Sequence, residues 1–416
     1  MFSRIMYNKR KIQKGYKKDG VRMESLSERN ENQRIDNAKK WRKRRNKIIM
    51  GSASVCILLV VIFNVWSYYT KDYKGYKVIQ SIKRKDSTIT NYTVYNDGKL
   101  MKYSRDGAVG FNKKLEMQWS GSYDFSTPLF DSCGVYVALA DQGGTEISVF
   151  DGSDSPKEIN VLYPITNIRI SSQGVLAVVM NRESSDQVQL YDSTNGELLV
   201  EFMTNVSDDG YPVDIALSSD GRKLITSYLN VTNGTATSKL TFYNLGEIGK
   251  NYTNNIVSAK TFKKQIISKI EFLENNTVCA FSEQGYHLYE MKQMVRDIRS
   301  KSFKQQIRSV FLTKENFGFV FNDSSDKHKL KTELYDLSGK VKMSKSINFD
   351  YNKVYMIGEQ IIFLSDQVCH ILRKNGTEKF NCTFNLPISY ILPTEGFNRY
   401  ILVDDNAIKV IKVRED

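Results

Sequence analysis

What most restricts the fold of this chain is a unit that returns about every 43 residues along most of its 416-residue length. Its clearest copy runs from Ile168 to Leu199. An apolar strand (IRI) leads into the turn Ser171-Ser172-Gln173-Gly174 and the strand VLAVVM. After a polar loop come the strand Val188-Gln189-Leu190-Tyr191, the turn Asp192 to Gly196 and a further strand, ELLVEF. A second copy follows directly, with Val213 to Leu217, the turn Ser218-Ser219-Asp220-Gly221, KLITSY and Leu240 to Tyr243. The residue closing the third strand of each unit makes a ruler: Phe111, Phe150, Tyr191, Tyr243, Tyr289, Tyr335, Ile371 and Val410. From Tyr73 onward, short β-branched or aromatic runs alternate with clusters of Gly, Asn, Asp and Ser, the rhythm of many short antiparallel strands.

A period in this range is that of propeller blades, so the expected fold is all-β, with eight four-stranded antiparallel blades in a ring. Seven blades with one degenerate unit is the alternative. Apolar runs such as VLAVVM and GVYVALA replace strict alternation because a blade buries both faces against its neighbours. The last unit, ending at Val410 to Val413, lacks a fourth strand, and residues 76–82 (YKVIQSI) precede the first unit without a partner. Pairing the two closes the ring and removes two sheet edges. The phrase LSSDGRKLITS resembles the turn between first and second strands of many β-propellers. VQLYDSTNGELL and ELYDLSGKV resemble quinoprotein-like blades, without the Trp that closes that repeat.

Upstream of the repeats, residues 48–65 (IIMGSASVCILLVVIFNV) form an uncharged apolar run. Continued through Tyr69, it makes a helix of roughly 33 Å, enough for a hydrocarbon core of about 30 Å. Its two flanks differ sharply in charge. Residues 1–47 hold 17 Lys and Arg against 5 Asp and Glu, while the rest of the chain is nearly balanced. This asymmetry predicts a single-pass signal anchor over 48–69, with a basic, partly disordered cytoplasmic tail (1–47) and an extracytoplasmic repeat region (70–416). A cleaved signal peptide is the competing reading, with Trp66, Tyr68 and Tyr69 fitting an interfacial belt better than a cleavage site. Ser25-Leu26-Ser27-Glu28 has the capping-box pattern of a helix start, the residues before Met23 read as irregular, and Met23 itself could be the start of the native chain. Lys39, Lys40, Arg42, Lys43, Arg44, Arg45 and Lys47 are placed to meet anionic lipid. Because the excess charge sits beside the membrane segment, nucleic acid is not an expected partner. Basic tail, anchor and outer propeller together resemble the uncharacterised clostridial domain-of-unknown-function family 5711, a likeness that implies the architecture and no activity.

Catalytic and metal signatures are sparse. Three histidines, His287, His328 and His370, fall in different units. No H-E-x-x-H, G-x-S-x-G or phosphate-cradling loop occurs, so no cofactor, metal or catalytic residue is assigned. His328, in a polar loop with Asp326, is the one weak metal candidate. Neither Asp208-Asp209 nor Asp404-Asp405 forms a glycosidase pair by itself, since adjacent strand residues point to opposite faces. With Cys56 in the apolar run, Cys133, Cys279, Cys369 and Cys382 remain, and Cys369 with Cys382 is the first pairing to test. Nine Asn-x-Ser/Thr triplets fit an Asn-rich bacterial composition better than a glycoprotein.

Loops are where a propeller carries function. The longest candidates are 230–238, 182–187 and 322–329. The basic stretch 260–308 offers Lys263, Lys264, Arg296, Arg299, Lys301 and Lys304 to an anionic wall polymer or membrane surface. Its plainer reading is a solvated strand edge guarded by lysines. The function expected is a non-enzymatic binding or sensing platform at the cell envelope, its partner an unknown envelope protein or polymer. The alternative is a hydrolase or lyase acting on wall carbohydrate.

Overall fold

A computed structural model describes residues 2–84, 90–96, 98–153, 155–182, 185–205, 209–322 and 329–415. The chain divides into two compact units, Met1–Lys71 and Asp72–Asp416. The first is a single helix, Phe2–Thr70. Its backbone is helical from Phe2 through the capping box at Ser25, and no proline interrupts it. Glu31–Asn64 contains an 18-residue window of mean hydropathy 2.1 with no buried residue, long and apolar enough to cross a membrane. The Ser52 and Ser54 hydroxyls and the Asn64 amide donate to the carbonyls of Ile49, Met50 and Val60, so each has a partner within the helix.

Among the described residues of the second unit, 32 strands form eight four-stranded antiparallel sheets. Blades 1 to 7 span residues 91–122, 128–160, 165–205, 211–263, 267–302, 307–347 and 353–383, each with its strands in chain order. Blade 8 takes three strands from 388–414 and its outer strand, Gly75–Lys83, from the start of the unit. That strand pairs with Ala407–Arg414 in the register Tyr76↔Val413 and Ile82↔Ile408. Every ruler residue from Phe111 to Val410 lies in the third strand of its blade. In blades 1, 3, 4, 5 and 6 a bulge toward the outer strand falls at that residue, which helps twist the blade.

The core is segmented between neighbouring blades rather than within them. Of VLAVVM, Leu176, Val178 and Met180 face blade 2, while Ala177 and Val179 face blade 4. Between blades 5 and 6, Tyr286, Phe317, Phe319, Phe321 and Tyr335 form an aromatic cluster with Phe303 at its edge. Leu100 and Leu115 of blade 1 pack with Leu392, Ile401 and Val410 of blade 8, which closes the ring. A buried Leu or Ile contributes about 1.5–3 kcal/mol, and here each such gain depends on an adjacent blade.

Candidate functional site

Around the ring axis stand the first strands of the eight blades: Asn91–Tyr95, Pro128–Cys133, Ile165–Ile170, Tyr211–Leu217, Ile267–Glu274, Ile307–Leu312, Lys353–Ile357 and Ile388–Pro393. Five of them carry a one-residue bulge near their start, at Thr166, Val213, Ser268, Arg308 and Ser389. Bulges re-aim the side chains that follow. The residues after them include Asn167 and Asp214, which meet across the gap between blades 3 and 4 at 3.1 Å.

The axial carboxylates of blades 2 and 4 act as ties between blades. Asp131 of blade 2 accepts the Ile170 amide of blade 3 at 2.7 Å. Asp214 of blade 4 pairs with Arg169 of blade 3 at 2.7 Å through one oxygen, and accepts the Ile270 amide of blade 5 at 2.9 Å through the other. Burial pushes the Asp131 carboxyl up to about 6, against the opposing pull of the Arg169 guanidinium and the Ile170 amide. On the opposite side of the ring, the Tyr355 hydroxyl of blade 7 donates to the Ile391 carbonyl of blade 8 at 2.7 Å and accepts its amide at 3.1 Å. The rings of Tyr355 and Tyr390 stack at 4.8 Å.

At one end of the axis lie the turns that join first and second strands. In blades 2 to 5 these turns are laced together. The Ser172 hydroxyl donates to the Ser219 carbonyl at 2.7 Å, and the Cys133 thiol sits 3.9 Å from the Ser219 hydroxyl. Asp220 accepts Asn275 at 2.7 Å and the Lys223 ammonium at 2.9 Å, while its own amide donates to Asn275 at 2.9 Å. Burial works against the Asp220 carboxylate, but bonds from Ser218, Asn275, Lys223 and the Arg222 amide outweigh it and hold the group well below the usual carboxylate range. Gly174 has a φ of 78°, and a Cβ there would press on the Tyr136 ring and the Ser193 hydroxyl, so this tight turn needs glycine.

The corresponding turns of blades 6, 7, 8 and 1 surround a funnel of about 900 Å³; the Thr394 hydroxyl of blade 8 donates to the Lys113 carbonyl of blade 1, and Lys374 of blade 7 pairs with Glu315 of blade 6 and Glu359 at 3.9 and 3.8 Å. The funnel carries Lys314, Glu315, Glu359, Glu395 and Lys113 on its rim; Tyr355 and Tyr390 line it deeper, and Ser132, Cys133 and Gly134 of blade 2 form its far wall. A volume of this size falls within the range of ligand clefts, roughly 300–1,000 Å³. Burial raises the Cys133 thiol above its ordinary value, so it is not an activated nucleophile.

The residues singled out in the sequence lie elsewhere. Lys263 ends the outer strand of blade 4, and Lys264 follows with a φ of 58°. Arg296, Arg299 and Lys301 share the outer strand of blade 5, with Lys304 just after it. Arg296 pairs with Glu290 at 2.9 Å, Arg299 donates to the Gly339 carbonyl at 3.3 Å, and Lys301 donates to the Tyr335 hydroxyl at 2.8 Å. Of the six basic residues only Lys301 is half-buried; Lys263, Lys264, Arg296, Arg299 and Lys304 are exposed. The 230–238 segment is a hairpin closed by an Asn233-Gly234 turn with both φ angles positive. His287 bonds Ser300 at 2.9 Å, and His370 stacks on Phe349 at 3.7 Å while bonding Glu378. Cys369 and Cys382 face each other in register on neighbouring strands of blade 7. Asp404 accepts the amides of Asn406 and Ala407, and Asp209 pairs with Lys239 at 2.6 Å. Asp208, His328 with its 323–328 loop, and residues 183–184 lie outside the described residues. Among the described residues no group of three or more His, Cys, Asp or Glu side chains is arranged to hold a metal ion. The funnel itself was missed because its rim residues sit in short turns of two to five residues that read as ordinary solvent-facing punctuation. The common place of Lys314, Glu315, Glu359 and Glu395, just after the first strand of successive units, was the available signal.

Fold and axis define a closed eight-bladed β-propeller. Residues 69–413 match the family of unknown function DUF5711, and the chain belongs to that family. No curated protein shows significant similarity to it. Among solved structures it is similar to BamB from Moraxella catarrhalis, with a TM-score of 0.50 at 12% identity over 82% of this chain and 99% of that one. A eukaryotic initiation factor gives a TM-score of 0.50 at 12% identity over 83% and 91% of the two chains. The WD40 domain of Toxoplasma gondii coronin gives 0.46 at 10% identity over 83% and 88%. At such identities the first two likenesses show the fold alone.

Proposed function

We propose that this protein is a non-enzymatic binding or sensing platform at the cell envelope, tethered by its N-terminal helix, with residues 1–47 in the cytoplasm and the propeller outside. The observation that carries the binding role is the axial funnel, a preformed cleft on a rigid ring whose ionisable rim residues face solvent. Two of the carboxylates on the inner strands, Asp131 and Asp214, are engaged as ties between blades, and Glu271 pairs with Lys269 of its own strand at 3.4 Å, which favours a platform over an enzyme. The tether reading draws on the apolar window and the charge asymmetry of its flanks. On this reading Lys39, Lys40, Arg42, Lys43, Arg44, Arg45 and Lys47 lie against anionic headgroups, each contributing about 1 kcal/mol. Lys263, Lys264, Arg296, Arg299 and Lys304 are then the exposed members of the basic stretch that can meet an anionic partner.

Two experiments test the proposal. Protease added to intact cells is expected to degrade the propeller and spare an epitope placed on the tail; a protected propeller would overturn the orientation. A photo-crosslinking side chain at position 359 is expected to capture an envelope component that the same probe on the exposed residue 341 does not. Equal capture at both positions, or none, would overturn the funnel as the binding site.

A further inference from the structure

Very little chain separates the apolar helix from the propeller. Tyr73, three residues beyond the helix end at Thr70, is buried and bonded to the outer strand of blade 7. Its amide donates to the Lys379 carbonyl and its carbonyl accepts the Asn381 amide, each at 3.0 Å. Three residue steps span at most about 10 Å, so Tyr73 lies no farther than that from the end of the helix, whatever angle the helix takes.

Two residues on, the outer strand of blade 8 begins, and a row of cations crosses its first turns of pairing. Lys77 stands directly opposite Lys412, and Lys412 directly opposite Arg399, so the three share one face of neighbouring strands. All three are exposed, and among the described residues none of them forms an ion pair. Like charges directly opposite each other destabilise a sheet, and an anion laid across the row relieves that repulsion. Lys74 and Arg414 beside it are exposed as well, and the acids of this corner are Asp72, Glu395 and Glu415, so the balance is positive. Next to Lys77, Val78 and the bulged Ile79 are 41% and 48% exposed. Basic side chains interleaved with solvent-facing apolar ones suit a surface that is anionic at its boundary and apolar just beneath.

We propose that this corner of blade 8 docks on the membrane, with Lys77, Lys412 and Arg399 on the phosphates of anionic lipid headgroups and Val78 and Ile79 pressed into the headgroup layer. The inference rests on the tether reading of the N-terminal helix and adds a second, lipid-facing contact to it. A soluble phosphate would meet the same cations, but the short linker keeps lipid phosphates permanently at hand, which favours the bilayer as occupant. Held at two points, the ring cannot swivel freely about its linker.

The test uses the full chain in vesicles whose lipid headgroups carry nitroxide quenchers. A fluorescent amino acid is placed at the exposed residue 80 or, as control, at the exposed residue 261 on the outer strand of blade 4, across the ring from blade 8. Vesicles containing phosphatidylglycerol are expected to quench the probe at 80 and not the one at 261, and phosphatidylcholine alone to quench the probe at 80 far less. Each of Lys77→Gln, Lys412→Gln and Arg399→Gln is expected to lower the docked-to-undocked ratio in the anionic vesicles by about fivefold. The three positions are exposed, so the variants should melt no lower than the parent, which excludes misfolding as the cause. Equal quenching at 80 in the two lipids, no response to the three changes, or equal quenching at 80 and 261 would overturn the docking. Recovery of fluorescence on adding a soluble poly(glycerol phosphate) would assign the row to a free polyanion and overturn the bilayer as its partner. A chain that resists alkaline carbonate extraction while the probe at 80 stays unquenched overturns this inference and leaves the tether standing. A chain that carbonate strips from the vesicles brings down the tether reading and this inference with it.

Discussion

In blades 2 to 5 the turns at the funnel end of the axis are sewn together by short polar side chains, whereas in blades 6, 7, 8 and 1 the equivalent turns surround a cleft of about 900 Å³ and are joined around its edge by Thr394 to the Lys113 carbonyl and by Lys374 to Glu315 and Glu359. Both halves are built of four-stranded antiparallel blades, with only the outer strand of blade 8 coming from the start of the unit, so the difference at the funnel end lies in what each turn carries. Ser172, Ser219, Asp220 and Asn275 have side chains short enough to bond the neighbouring turn directly. Lys314, Glu315, Glu359 and Glu395 are longer and charged, and extending into water costs them little entropy. One half of the ring is thus braced and the other left open. A repeat architecture permits this because each blade contacts only its neighbours, which lets stability and recognition be assigned to different units.

The sharpest way to break the comparison is to cut a tie in the braced half. Asp214→Ala removes the ion-pair partner of Arg169, which keeps its bonds to Asn167 and the Ile168 carbonyl, and leaves the Ile270 amide without its acceptor near the axis. The expected loss is about 3–5 kcal/mol, the range for breaking a buried ion pair from one side, read by urea denaturation. A loss below about 1 kcal/mol would mean that water replaces the tie and that the two halves do not differ in this way.

The second prediction runs in the opposite direction. The Asp131 carboxyl is raised from the ordinary carboxylate value to about 6. A raised folded-state pKa adds stability that is fully present below the unfolded value, near 4, and is lost as pH climbs through about 6. At neutral pH the buried carboxylate therefore costs up to about 3 kcal/mol relative to its protonated form, at about 1.4 kcal/mol per pH unit. Asp131→Asn should raise stability at pH 7 and flatten its dependence between pH 4 and 6. An unchanged pH profile of melting would show that Asp131 titrates normally.

Much of this architecture was legible from the amino acids, for reasons that particular residues make clear. Phe111, Phe150, Tyr191, Tyr243, Tyr289, Tyr335, Ile371 and Val410 repeat because each fills the same place in the third strand of a blade, and buried apolar positions leave a periodic trace. The eight-blade count follows from them. The axial ties left no such trace. Asp131 and Asp214 resemble any carboxylate in a strand until the ring sets them against amides 39 and 56 residues away. The bonds of the basic stretch left no trace either: nothing in one dimension shows that Arg299 donates to the Gly339 carbonyl or Lys301 to the Tyr335 hydroxyl of the next blade.

A third experiment cuts a tie of the open half, the one between Tyr355 of blade 7 and Ile391 of blade 8. Tyr355→Phe keeps the stacked ring but removes the hydroxyl that serves both the Ile391 amide and its carbonyl. Leaving those two backbone groups unpaired is expected to cost about 1–3 kcal/mol in thermal or urea melts, less than Asp214→Ala because no charge is stranded. A cost equal to that of Asp214→Ala would erase the distinction between the halves.

The smallest expected effect is the most diagnostic for the open half. Glu395→Ala and Lys314→Ala change exposed rim residues, and the stability of each variant should stay within about 0.5 kcal/mol of the parent. The reason is the one that separates the two halves: an exposed charge on a turn gives up little hydration in the folded state and contributes little to holding it. If instead either change lowered the melting temperature by as much as Tyr355→Phe, the rim would have to be part of the bracing. The charges around the funnel would then be structural, and the case for keeping this half of the ring open for a ligand would fail along with the comparison.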